Sequence, residues 1–290
     1  MKWEDGRESE NVEDRRGFPI GGRGASLGCG GLILLLLVSW LTGVSPAKLL
    51  DLIQGSASDT PSASTTAPRP GAPSHPEAAG APADKLGKFA AVVLASTEDV
   101  WKDVFARSGK PYREPKLVLF SGAARSACGL ASMATGPFYC QLDSKVYLDT
   151  SFFRELSDRF GAPGDFADAY VIAHEVGHHV QDELGLFAEL GRSQSDKATS
   201  VRIELQADCF AGVWGNLANR DHKLIEPGDF EEGLRAAAAI GDDRLQRMAT
   251  GHVAPESFTH GTSQERAGWL RRGLTTGDPG QCDTFRSSLR

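Results

Sequence analysis

The sequence predicts an α+β protein: a mainly helical domain with a small β-sheet, preceded by one transmembrane helix and a flexible linker. Three observations carry this expectation. Residues 24–47 hold no charged side chain and include the run Leu32-Ile33-Leu34-Leu35-Leu36-Leu37-Val38. Residues 55–84 are rich in Ser, Ala, Thr and Pro. Beyond them, apolar residues recur at helical spacing in several long stretches, with two short runs that read as strands. Hydrophobic residues make up 40% and charged residues 24% of the chain, close to globular norms. The net charge is −7 and no basic stripe is present, so nucleic acid is not an expected partner.

From the start of the chain, residues 1–23 are polar, mixed in charge and without apolar periodicity, which predicts a disordered cytoplasmic tail. Residues 24–50 form the expected signal-anchor helix, and at about 1.5 Å rise per residue the apolar run is long enough to cross a hydrocarbon core. Arg15, Arg16 and Arg23 precede it, and Lys48 is the near cation after it. The positive-inside bias then places the N-terminus in the cytoplasm and everything after residue 48 outside, in a single-pass protein of a bacterial inner or plasma membrane. A signal peptide cleaved near Ala47 would have an unusually long and acidic n-region. A buried core helix so rich in leucine has nothing obvious to pack against. Residues 51–84 then act as a Pro/Ala/Ser-rich spacer in which His75 is solvated.

The folded domain is expected over residues 85–290. Leu86, Phe89, Val93, Val100, Trp101 and Phe105 recur at helical spacing, and Gly109 stops that helix. Pro115–Phe120 and Val146–Asp149 read as strands, with a Gly-, Ala- and Ser-rich stretch from Ser121 to Cys140 between them. Phe152 to Gly161 holds a short helix. Pro227-Gly228-Asp229 looks like a helix start, and an Ala-rich helical pattern follows from Glu231 to Met248. Asp242-Asp243, beside a break at Gly241, reads as a solvated patch. The last helix, Ser263 to Gly273, packs Ala267, Trp269 and Leu270.

The chemistry centres on His174-Glu175-Val176-Gly177-His178, the pattern H-E-x-x-H inside a helix that begins near Asp165. Residues four apart share a helix face, so His174 and His178 can aim ring nitrogens at one metal ion. Glu175 can reach a metal-bound water and is the candidate general base. Zn(2+) suits this geometry best, with three protein ligands and an open water position as the catalytic arrangement. The third ligand is Glu204, in a second helix expected from Lys197 to Asn219. Asp208, four residues on, can accept the other ring N–H of a ligand histidine. Two plainer readings compete, in which the histidines are ordinary helical residues and the two carboxylates decorate a solvated face. His179 faces about 100° away from His178, and neither it nor His252 is expected to act.

H-E-V-G-H followed by E-L-Q-A-D resembles the gluzincin metallopeptidases with an E-x-x-x-D second motif. The whole chain is similar to the bacterial putative neutral zinc metallopeptidase family. The likeness runs through Glu8–Arg16, Ser126–Gly129, Gly136–Cys140, Val146–Asp149 and both metal motifs. Thr259-His260-Gly261 with Arg266 is similar to the T-H-P-x-x-x-x-R motif of related membrane gluzincins, with Gly261 where that motif has proline. The resemblance implies a zincin-like metallopeptidase domain acting on protein or peptide substrates. It implies zinc on His174, His178 and Glu204, water activation by Glu175, Asp208 supporting a ligand histidine, and a catalytic place for His260. It also suggests Val146–Asp149 as the strand that pairs with the substrate backbone. A non-catalytic envelope adaptor and a zinc amidase acting on cell-wall peptides are the rival functions.

Cys128, Cys140, Cys209 and Cys282 all follow the expected anchor, in what should be an oxidising space. Cys128 with Cys140 and Cys209 with Cys282 is the preferred pairing, out of three that four cysteines allow.

Overall fold

The computed structural model describes residues 1–17, 82, 84–132 and 135–285. The expected anchor over residues 24–50, nearly all of the spacer, Cys29 and His75 lie outside the described residues. Among the described residues no helix is long and apolar enough to cross a membrane.

The two strand-like runs form the middle of the sheet. Strands β1 (Val12–Asp14), β2 (Lys116–Phe120), β5 (Phe138–Cys140) and β6 (Lys145–Asp149) make one sheet in the order β1-β2-β6-β5. β2 and β6 run parallel, Leu117 opposite Val146 and Leu119 opposite Leu148. Successive side chains alternate faces. Leu117, Leu119, Val146 and Leu148 therefore enter the main helical core, while Val118, Phe120 and Tyr147 enter a smaller cluster with Cys140, Ala124 and Ala131. A hairpin of β3 (Ala123–Ser126) and β4 (Gly129–Ser132) contributes Ala124 and Ala131 to that cluster. The Gly-, Ala- and Ser-rich stretch from Ser121 to Cys140 thus supplies three strands, tied by the Cys128–Cys140 disulfide.

Against the other face pack the helices. They are α1 (Lys85–Arg107), α2 (Ser151–Asp158), α3 (Asp165–Glu183), the short α4 (Leu186–Leu190), α5 (Lys197–His222), α6 (Asp229–Ala239), α7 (Asp242–Thr250) and α8 (Ser263–Thr276). Asp84 caps α1 by accepting from the Gly87 amide at 2.8 Å. α3 lies hard against α5: a Cβ at Gly177 would sit 2.9 Å from the Ala207 carbonyl oxygen, so only glycine permits the approach. The Phe166 ring of α3 stacks on Trp214 of α5 with centroids 5.8 Å apart. The second disulfide, Cys209–Cys282, fastens the C-terminal segment to α5.

One expectation fails outright. Residues 1–17 are not a disordered tail but part of this fold. β1 pairs in parallel with β2, Val12 opposite Leu117. Trp3 meets Phe89 edge-on at 5.2 Å, Ser9 Oγ donates to the buried Glu98, and the Lys2 amide donates to the Leu224 carbonyl at 2.8 Å. The α-ammonium of Met1 bonds Asp165 at 2.8 Å and lies 3.3 Å from Asp229, at the N-terminal ends of α3 and α6. Docking by ion pairs, polar contacts and a three-residue ladder leaves no hydrophobic period to read.

Asp168 lies one turn inside α3 from this cluster. Burial, together with the Asp165 and Glu232 carboxylates, pushes its carboxyl up to about 8. A carboxyl raised in the folded state binds more protons folded than unfolded. The resulting loss of stability is absent below pH 3.8, grows as pH rises from there and is complete above about pH 8. Asp168→Asn should therefore match the wild type in melting temperature near pH 4 and exceed it by several degrees near pH 8, measured in parallel thermal scans. An advantage that does not grow with pH would show that the carboxyl ionises normally.

Candidate metal centre

His174 and His178 project from consecutive turns of α3, and Glu204 meets them from α5. Glu204 Oε2 lies 3.2 Å from His174 Nε2, and Oε1 lies 3.5 Å from His178 Nε2. The three ligand atoms fall within 4.8 Å of one another. Each imidazole is held from behind. His174 Nδ1–H donates to Asp208 Oδ1 at 2.9 Å, and His178 Nδ1–H to Gln181 Oε1 at 2.9 Å. Both Nε2 atoms are thereby turned toward Glu204. Burial pulls the His174 pKa down, but the Asp208 and Glu204 carboxylates override it and push it up to about 10. The pocket thus calls for positive charge between these donors. Two imidazoles and one carboxylate with their rear nitrogens engaged fit zinc.

Gln181 gave no signal in the sequence, yet it is fully buried and joins both motifs. Its amide donates to the Ile203 carbonyl at 2.7 Å while its oxygen holds His178. Asp208 supports His174 rather than His178. It also accepts from Tyr170 at 2.5 Å and from Arg266 twice, at 2.9 and 3.0 Å. Burial alone would raise the Asp208 carboxyl; Arg266 and His174 hold it below the usual range.

Glu175 is buried beside the ligands and lines a cleft of about 880 Å³ together with Tyr139, Phe160, Val171 and His260. Burial raises its carboxyl, although His174 and His178 act the other way. His260 is half exposed at the same cleft, its ring Nδ1 3.1 Å from Asp242 Oδ1. Asp242 is therefore not in a solvated patch. It is buried, and its other oxygen accepts from the amides of Thr259 and His260 at 2.7 Å and of Gly261 at 3.2 Å. Asp243 likewise accepts from the Ser263 amide at 2.7 Å. Gly261 has φ +94°, which a proline ring forbids, so this loop takes a path of its own where the related motif has proline.

Val146–Asp149 cannot pair with a substrate, because β6 is bonded to β2 on one side and β5 on the other. The strand at the sheet edge by the cleft is β5. His179, which faces away from the ligands as expected, anchors it. Its Nε2 lies 2.6 Å from the Arg113 carbonyl and its Nδ1 3.2 Å from the Tyr139 hydroxyl, which in turn donates to Asp182 at 2.8 Å. His252 is exposed and does not line the cleft.

Known proteins resemble the chain throughout. It is 47% identical over 301 residues to uncharacterized protein YpfJ of Escherichia coli (strain K12), covering 100% of both chains. It is 42% identical over 224 residues to uncharacterized protein Rv2575 of Mycobacterium tuberculosis (strain ATCC 25618 / H37Rv), covering 72% of this chain and 74% of that one. No solved structure matches it. Residues 1–285 match the model of one family, and the chain belongs to it: the putative neutral zinc metallopeptidases.

Proposed function

We propose that the chain is a zinc-dependent peptidase that hydrolyses peptide bonds of extended protein or peptide substrates, with Glu175 as general base. Glu175 itself carries this reading: a buried carboxylate on the ligand helix, opening into the cleft, that metal binding alone does not require. Zinc held by His174, His178 and Glu204 would supply Lewis-acid polarisation of the scissile carbonyl and a bound water of pKa about 7. Glu175 takes the proton of the attacking water and returns it to the leaving amine, a role worth typically about 10²–10⁴-fold.

The outer edge of β5 offers backbone groups to an extended substrate, by strand addition. His260, with Nδ1 engaged by Asp242, has Nε2 left for the carbonyl oxygen as charge develops there. One such donor is worth about 2.7–4 kcal/mol of transition-state stabilisation.

The test compares zinc content and protein-substrate cleavage of the full chain, wild type beside Glu175→Gln. A fragment starting at residue 85 would lack β1 and is not suitable. Equal zinc with a fall in kcat of about 10²–10⁴-fold is expected. Undiminished cleavage by Glu175→Gln would sink the proposal. Zinc in both and cleavage only of cell-wall peptides would move the substrate class to the amidase reading.

A further inference from the structure

From the pairing of β1 with β2 we infer that the N-terminal segment and the metal-bearing domain lie on the same, extracytoplasmic side of any membrane that residues 24–47 engage. The described residues run to Gly17 and resume at Pro82. Across that interval of sequence the Arg16 guanidinium holds the Asp84 carboxylate, Nη2 to Oδ1 at 2.8 Å and Nη1 to Oδ2 at 3.0 Å. Upstream, Arg7 donates to the Ala95 carbonyl at 2.9 Å and to Asp99 at 2.7 Å, and Lys145 reaches across from β6 to Glu13 at 2.7 Å.

A hydrocarbon core is about 30 Å thick. One crossing between residues 17 and 84 would put that thickness between β1 and its partner β2, and every contact of residues 1–17 with the rest of the domain would be lost. The positive-inside count that favoured a cytoplasmic N-terminus rested on Arg15, Arg16 and Arg23. Arg15 pairs with Glu13, and Arg16 with Asp14 and Asp84, so two of those three charges are neutralised inside the fold. Two disulfides set the side, since they persist in oxidising compartments.

This inference does not depend on the catalytic reading, and its test needs no activity. Of the five cysteines, Cys29 is not among those paired in the two disulfides, so Cys29→Ser provides a background without a free thiol. Onto it, Glu8→Cys and Lys110→Cys each place one thiol at an exposed position, in the N-terminal segment and at the end of α1. The full chain is made in a bacterial host, and spheroplasts are treated with a membrane-impermeant maleimide before and after permeabilisation. Both variants should shift in gel mobility to the same extent in intact spheroplasts. Labelling of Lys110→Cys in intact spheroplasts, with Glu8→Cys reached only after permeabilisation, would overturn the shared sidedness. Labelling of both only after permeabilisation would overturn the extracytoplasmic assignment.

Discussion

Arg266→Met should destabilise the fold by about 3–5 kcal/mol, the usual cost of removing one partner from a buried ion pair. Both partners are out of solvent, at 3% and 0% side-chain exposure. The methionine fills much of the same volume but leaves the Asp208 carboxylate with only Tyr170 and His174 as partners. The loss should depend on pH with a definite sign. In the wild type Asp208 is held below its ordinary value, so its contribution is present above pH 3.8 and fades as pH falls through the lower folded value. Without Arg266 the carboxyl loses the larger of the two influences that hold it down and rises, and a protonated Asp208 needs no cation. The gap between wild type and variant should therefore be widest near neutrality and narrow on acidification. Zinc affinity should fall about 10–100-fold, as for other groups that orient a metal ligand from behind. Adding Asp208→Asn should recover part of the stability, because the buried carboxylate that Arg266 balanced is then gone, but not the affinity. Urea unfolding at several pH values and calorimetric zinc titration would check each part. A single variant within about 1 kcal/mol of wild type would mean that water reaches Asp208.

The ligand helices were legible because the information is local. His174 and His178, and likewise Glu204 and Asp208, sit four apart, and helical geometry alone puts each pair on one face. What holds those residues was much less so. Gln181 sits three residues past His178, and nothing but the packing of α3 on α5 reveals that its amide spans both motifs. Asp242 looked like half of a charged patch because adjacent acidic residues usually are. Its burial arises from a separate loop, whose three amides converge on one carboxylate oxygen.

The sheet divides in the same way. β2 and β6 are apolar on both faces and declared themselves, which also meant that β6 was central and unavailable to a substrate. β5 has only three residues, too few for a period, and its place at the edge is set by register with β6 and by the Tyr139–His179–Asp182 contacts. Residues 1–17 were misread for a related reason. Hydrophobic periodicity detects segments that dock by burying a face, and this one docks largely by exchanging hydrogen bonds and ion pairs with α1 and β2.

Removing the Cys209–Cys282 disulfide should cost more than removing Cys128–Cys140. The bridged residues are 73 apart in the first pair and 12 apart in the second. A cross-link limits the unfolded chain in proportion to the logarithm of the loop it closes, so the respective losses are about 4 and about 3 kcal/mol. The longer bridge also has the larger structural consequence. Cys209 follows Asp208 directly and is fully buried on α5, while the Cys282 carbonyl accepts from Gln206 at 3.0 Å and Gln206 in turn accepts from Gln181 at 3.1 Å. Release of the C-terminal segment thus loosens the amide that orients His178, whereas release of the hairpin does not touch the ligand shell. Paired Cys→Ala variants should separate the two effects: loss of both stability and zinc affinity for Cys209→Ala/Cys282→Ala, and loss of stability alone for Cys128→Ala/Cys140→Ala. Equal zinc affinity in the two variants would place the control of His178 entirely within α3.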